Sequence, residues 1–218
     1  MQKDDKEHGF RPKDITIKEH ILQTPSLYIG YETWDTDAIH CLIECVILHM
    51  VDKDTANDPT SVKVTILSDR RVMLEDNGNG LPVKTLLGWR KQEPAIVALL
   101  EWFMPTGERS RTQYKSHGFI SYLAKILNAL SEHLRIDTRC DDVVYSVTCS
   151  KDKITKPLTK TSDIQLDRGT RIIYEPDIDL FPDFNWDFAK MKGIITEFQT
   201  EHATVAFEMV DNRDKSRA

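Results

Sequence analysis

The chain has 218 residues, 40% of them hydrophobic, which suits one domain with a substantial core. Its formal net charge of −6 supplies no overall basic field, which argues against direct DNA binding as its main task. The four cysteines (Cys41, Cys45, Cys140, Cys149) have no CxxC spacing, and no secretory leader or 18-residue apolar run is present, so the chain reads as a reduced, cytoplasmic protein with no membrane partner.

Residues 1–14 are polar and read as a flexible arm, and residues 15–218 as a single domain. Ile15–Leu22 predicts a short helix ended by Thr24-Pro25, and Pro25–Gly30 a compact turn. Asp37–Asp52 is the strongest helix, apolar nearly all round (Ile39, Leu42, Ile43, Val46, Ile47, Met50) and therefore buried. Cys41 and Cys45, four apart within it, read as buried thiols. Strands follow at Ser61–Ser68 and Arg71–Glu75, joined by a Ser-Asp-Arg turn. Pro94–Phe103 repeats the helical period, and residues 105–116, with Gly107, Arg109 and Arg111, read as a mobile loop. Ile120–Leu130 is a second apolar helix, followed by strands at His133–Thr138, Val143–Thr148 and Thr170–Glu175. An amphipathic helix at Phe188–Glu201 and a strand at Ala203–Val210 close the pattern. This alternating order predicts one two-layer α/β domain.

Two features carry chemistry. Residues 75–82 read Glu-Asp-Asn-Gly-Asn-Gly-Leu-Pro, placing the Asp76 carboxylate beside two glycines, Gly78 and Gly80, that are free to take positive φ. Such a turn lets backbone and carboxylate approach a flat ligand, although a plain turn aspartate has the same spelling. Glu44 lies in the apolar run Cys-Leu-Ile-Glu-Cys-Val-Ile-Leu, where burial of an unpaired carboxylate is costly. It is either paired to a basic group, turned out at a helix edge, or a general base tuned by its surroundings. His40, one turn earlier on the same face, is a candidate helper for that base or a structural histidine.

These residues stand in an order that resembles a known family. Tyr28-Ile-Gly30, the Glu44 helix, Asp76-Asn-Gly-Asn-Gly-Leu-Pro82, Tyr114-Lys115, Asn128-Ala-Leu-Ser131, Gly169-Thr170 and the closing helix and strand follow one another as in type IIA topoisomerase B subunits, the gyrase B and topoisomerase IV E proteins. The resemblance covers about residues 15–212 and implies their N-terminal GHKL, or Bergerat-fold, ATPase domain. That fold is an α+β two-layer sandwich, a mixed and mostly antiparallel sheet covered by helices on one face. It implies ATP as ligand, with Asp76 accepting a hydrogen bond from the adenine amino group and the Thr170 hydroxyl in support, though Thr170 is also an ordinary strand residue. Gly78 and Gly80 would let the loop pass the base, Leu81, Pro82 and Ile172 would wall the purine, Glu44 would be the general base and His40 its helper. Residues 105–121 would be a lid, with Gly118 the one glycine retained from the family's phosphate-cradling stretch. Implied partners are an adenine nucleotide, a second copy through the N-terminal arm or an A-type topoisomerase subunit, and DNA only indirectly.

The departures from the family are concentrated at the phosphate end. The family's Mg²⁺-ligating Asn is Leu48 here and the Asp before it is Ile47, so no oxygen stands where the metal ligand is expected. The lid reads Ser116-His-Gly-Phe-Ile-Ser-Tyr-Leu-Ala124, where Ile120, Tyr122 and Leu123 would crowd a phosphate path, and the lid's Gly-Gly-Lys is Thr106-Gly107-Glu108. The activating lysine that the family takes from a following domain lies beyond Ala218, and a piece of a larger protein and a free-standing module both fit. Two functions follow: an ATP-binding, ATP-hydrolysing domain coupling nucleotide binding to dimer closure in DNA topology change, with an impaired Mg-phosphate site, or a pseudo-ATPase acting as a regulatory or protein-interaction module.

Overall fold

A computed structural model describes residues 16–51, 57–81, 83–84, 86–87, 93–101 and 118–213. The Thr16-x-x-Glu19 pair opens α1 (Ile17–Gln23) as a capping box: Thr16 Oγ1 accepts the Glu19 N–H at 3.1 Å and Glu19 Oε2 accepts the Thr16 N–H at 2.7 Å. The expected turn at Pro25–Gly30 is a one-turn helix, α2 (Pro25–Ile29), started by proline and stopped by Gly30 at φ 76°. The long helix α3 spans Thr36–Val51, and the two expected strands become β1 (Ser61–Ile66) and β2 (Val72–Asp76). A short pair, β3 (Leu86–Leu87) and β4 (Glu93–Pro94), precedes α4 (Ala95–Glu101), so Pro94 ends a strand instead of opening the helix.

The rest of the chain runs α5 (Gly118–Ala129), β5 (Ser131–Cys140), β6 (Val143–Ser150), β7 (Lys153–Thr161), β8 (Thr170–Pro176), α6 (Phe188–Glu201) and β9 (Ala206–Asp211). Strand β7 was not expected. It reads Lys-Ile-Thr-Lys-Pro-Leu-Thr-Lys-Thr and lies at the sheet edge, where lysines and a proline discourage further pairing and blur the apolar alternation.

The main sheet has the order β7-β6-β5-β8-β2-β1-β9. Only β1 and β9 pair in parallel and every other neighbour is antiparallel, so the sheet is mixed and mostly antiparallel. Register aligns Val64, Leu74, Ile172, Ile136 and Val147 in one row across five strands, all buried. Directly paired residues share a face. This row joins Ile43 and Ile47 of α3, Leu100 of α4, Ile126 of α5 and Ile195 of α6 in one core. Each such side chain contributes roughly 1.5–3 kcal/mol on burial. The alternate positions form the other face and carry ion pairs, Arg171–Glu75 and Arg135–Asp137 at 2.8 Å and Lys63–Glu208 at 3.0 Å. The helices thus cover one face, as the α+β two-layer arrangement requires. No described helix is long and apolar enough to cross a membrane. The expected arm at residues 1–14 and the loop at 105–116 lie outside the described residues.

Candidate functional site

Strand β2 lies between β1 and β8 and delivers Asp76 at its last residue, where the chain must turn. Asn77 fixes the turn to the start of β1: its Oδ1 accepts the N–H groups of Thr60 and Ser61, both at 2.9 Å. Gly80 takes φ 78°, and a Cβ there would lie 2.5 Å from the Arg139 carbonyl oxygen and 2.8 Å from Thr138 Oγ1. Glycine is therefore required twice over, for conformation and for space. Gly78 differs from expectation. It is not among the positive-φ glycines, and its missing side chain makes room for Asn57, whose Oδ1 would stand 2.2 Å from a Cβ. Across the loop, a Cβ on Gly169 would come within 2.0 Å of the Asp76 carbonyl oxygen, which is how closely β8 approaches.

Asp76 is 5% exposed. Its Oδ1 accepts the Gly78 N–H at 2.8 Å and the Asn57 side-chain amide at 3.1 Å. Both of these bonds fall on Oδ1, the Thr170 backbone N–H adds a weaker pull on the carboxylate, and Oδ2 keeps acceptor capacity for a ligand N–H. Burial pushes the carboxyl up to about 6, against the opposing pull of the Gly78, Asn57 and Thr170 hydrogen bonds and the Arg168 charge. Arg168 also clamps the turn, with Nε donating to the Gly78 carbonyl at 3.0 Å and Nη2 to Asn79 Oδ1 at 2.7 Å.

Thr170 is buried at the start of β8, and its hydroxyl lies 3.3 Å from that of Thr138, its partner across the β5–β8 ladder. Thr138 Oγ1 in turn accepts the Leu81 N–H at 2.7 Å. Asp76, Gly78, Gly80, Leu81 and Thr170 are thus brought together by one hydrogen-bonded frame, and Ile172 follows two residues along β8, buried opposite Leu74. The sequence reading missed Asn57, Thr138 and Arg168. The Thr138 hydroxyl had no local signal, because its partners come from residues 57 positions before it and 32 after it. Pro82 lies outside the described residues.

The α3 residues divide differently. His40 is fully buried: its Nδ1–H donates to the Thr36 carbonyl at 2.7 Å, and its Nε2 accepts the Asp187 N–H at 3.2 Å. Its ring packs beside Phe184 and Trp186 at centroid distances of 5.6 and 5.3 Å. Both ring nitrogens are used, Nδ1 within α3 and Nε2 in tying α3 to the N-cap of α6, and burial holds the imidazole below its ordinary range. No ring nitrogen is left for Glu44. Glu44 itself is half-buried, at the helix edge that the sequence left open, and among the described residues it has no hydrogen bond or ion pair. Burial, Glu197 and Glu201 raise its carboxyl while Lys190 opposes them. One turn on, Leu48 is 44% exposed. Glu44 is about 9 Å along the helix axis from Met50, the residue whose carbonyl accepts a bond from Asn57 at the foot of the Asp76 turn.

Two further expectations change. Cys41 and Cys45 are half-buried rather than buried, and their free thiols hydrogen-bond to each other. Gly118 is the first residue of α5, and Leu123, expected to crowd the phosphate path, is 4% exposed within the core. Of the sequence motifs, Asn128-Ala-Leu-Ser131 is a structural corner: Asn128 Nδ2 donates to the Leu100 carbonyl at 3.0 Å, and Ser131 Oγ donates to the Asn128 carbonyl at 2.9 Å.

No protein-family model matches the chain. Among curated proteins it is 24% identical over 196 residues to the DNA gyrase B protein of Clostridium acetobutylicum, covering 89% of this chain and 30% of that protein. It is 27% identical over 202 residues to the type 2 topoisomerase B protein of Aquifex aeolicus, covering 92% of this chain and 25% of that protein. A third relative, the DNA topoisomerase 4 B protein of Rickettsia conorii, is 27% identical over 180 residues, covering 80% and 27%. The chain therefore spans between a quarter and a third of the length of these relatives. Among solved structures, the 43K ATPase domain of Thermus thermophilus gyrase B, in complex with an aminocoumarin, superposes with a TM-score of 0.71 at 21% identity, covering 90% of this chain and 49% of that one. In sequence the chain is similar to type IIA topoisomerase B subunits, and it has the GHKL (Bergerat) fold of the gyrase B ATPase domain.

Proposed function

We propose that this domain binds the adenine ring of a nucleotide, as the ATP-binding part of a gyrase- or topoisomerase IV B-like protein, and that its metal and phosphate end is impaired. The observation that carries the reading is Asp76: a 5% exposed carboxylate with Oδ1 occupied and Oδ2 able to accept an amino N–H. A buried carboxylate is costly to keep ionised, and a ligand donor would offset that cost. The donor set fits a purine, with Leu81 and Thr170 both hydrogen-bonded to Thr138 and Ile172 paired with Leu74, two residues before Asp76 on β2. It does not fit Mg²⁺, because α3 offers the Glu44 carboxylate and then the hydrocarbon of Leu48 where an oxygen would complete a near-octahedral shell. Glu44 remains the candidate base for water.

In this reading nucleotide binding would drive closure of two copies around DNA handled by a partner protein. The second reading, a pseudo-ATPase serving as a regulatory or interaction module, is favoured by exposed Leu48 beside a carboxylate that further acids surround. Thermal shift with ATP, a non-hydrolysable analogue and adenosine, each with and without Mg²⁺, separates the two. A ligand at 100 times its Kd stabilises by about 2.7 kcal/mol. A shift with adenosine that phosphates and Mg²⁺ do not enlarge supports the pseudo-ATPase, a Mg²⁺-dependent increase supports the ATP-hydrolysing reading, and no shift with any adenine compound refutes the ATP-binding reading.

A further inference from the structure

We propose that Asn57 is a positioning residue of the base site: it fixes Asp76 Oδ1 and ties the glycine turn to the end of α3, so that Oδ2 alone is presented to an amino-purine. This rests on the reading of Asp76 as the base acceptor.

Four hydrogen bonds converge on this one residue. Its side-chain amide donates to the Met50 carbonyl and to Asp76 Oδ1, both at 3.1 Å, which uses both amide hydrogens. Its Oδ1 accepts the Gly80 N–H at 3.3 Å, and its main-chain oxygen accepts the Asn79 N–H at 2.7 Å. The requirement is reciprocal, since Gly78 must lack a side chain for Asn57 to reach the carboxylate. Only a short amide suits these partners. Aspartate keeps the acceptor for Gly80 but has no donor for Asp76, serine is too short to span both sides, and glutamine carries the amide past them. A donor aimed at a carboxylate stabilises the ionised form, which is the form that accepts a ligand N–H. Arg168, the charged side chain that acts on Asp76, works in the same direction from the β8 side.

The test uses the whole 218-residue chain with Asn57→Ala and Asn57→Asp, folding being checked by circular dichroism. The Asp76 carboxyl is titrated by carbon-13 NMR, and adenosine binding is measured by calorimetry from mildly acidic to mildly basic pH. In Asn57→Ala the Asp76 midpoint is expected to rise by about one pH unit, and adenosine affinity at neutral pH to fall about tenfold. In Asn57→Asp, which keeps shape and the Gly80 acceptor, the midpoint rises further. A purely structural clip would lower stability and leave the Asp76 midpoint where it was. A folded Asn57→Asp variant with the wild-type midpoint and wild-type affinity overturns the proposal. If the wild-type chain binds no adenosine, the base reading fails, while the Asp76 titration still decides whether Asn57 sets that carboxylate.

Discussion

Replacing Asp76 by asparagine should stabilise the ligand-free protein and abolish base recognition. Burial raises the Asp76 carboxyl from 3.8 to about 6. Because the folded value lies above the unfolded one, the fold favours the protonated form. This group therefore adds stability as pH falls from about 6 towards 3.8, and above about 6 the fold carries the whole cost of an ionised, buried carboxylate. At about 1.36 kcal/mol for each pH unit between the two values, that cost is about 3 kcal/mol at about pH 7.5. Asparagine keeps the shape and the Oδ1 acceptor for Gly78 and Asn57 while removing the charge. Asp76→Asn should thus raise the melting temperature at about pH 7.5 by up to about 6–12 °C for a domain of this size. The gain should shrink to nothing by about pH 4, where the wild-type group is itself protonated. The same change puts an N–H donor where a ligand donor must bind, so adenosine should no longer stabilise the variant. Scanning calorimetry of both proteins at several values from about pH 4 to about pH 7.5, with and without adenosine, checks each part, since other titrating groups cancel in the difference. A variant less stable than wild type at the upper end of that range would refute the reasoning, because it would mean that the hydrogen bonds to Oδ1 outweigh burial.

Three other substitutions test the surrounding frame. Gly80→Ala combines φ 78° with a Cβ 2.5 Å from a carbonyl oxygen, and should cost about 2–3 kcal/mol; a urea midpoint within error of wild type would contradict the tight packing of the turn. His40→Ala removes two hydrogen bonds and two aromatic contacts, for a loss of about 3 kcal/mol at about pH 7.5. Since burial lowers the folded value of His40, its contribution is present above the ordinary histidine range and fades as pH falls through it. The loss should therefore be smaller at about pH 5; a larger loss in acid would reverse that sign. Leu48→Asn restores an oxygen one turn from Glu44 and should add a Mg²⁺-dependent component to ATP affinity, read by calorimetry; no such component would place the limitation in residues 105–121 instead of the metal ligand.

The fold was legible where burial was one-sided. The apolar run of α3 and the alternation in β1, β2 and β8 gave their elements to within a few residues, because the same side chains that pattern the sequence fill the core. Strand β7 escaped because an edge strand buries little and is paired by its backbone, which leaves no mark on side-chain periodicity. At the site, Asp76 and Gly80 were readable because a turn of that kind needs them locally. Gly78 was assigned the wrong need: its small size serves Asn57, 21 positions earlier, and no local pattern encodes such a clearance. The helical spacing places His40 beside Glu44, but its ring bonds to Thr36 within α3 and to Asp187 at the start of α6, making it a structural link. For Glu44 the apolar neighbours leave pairing, a helix-edge position and a buried base all open, and the structure places it half-exposed at the helix edge.

The central claim is that Asp76 reads an amino group on the purine, and the most direct measurement compares adenosine with inosine by titration calorimetry at mildly basic pH. Inosine has the same shape but presents a carbonyl oxygen where adenosine presents its amino N–H. A carboxylate with Oδ2 as the open acceptor should favour adenosine by at least about 100-fold, since inosine would leave that buried acceptor unpaired and facing another oxygen. Equal affinities, or tighter binding of inosine, would contradict the account.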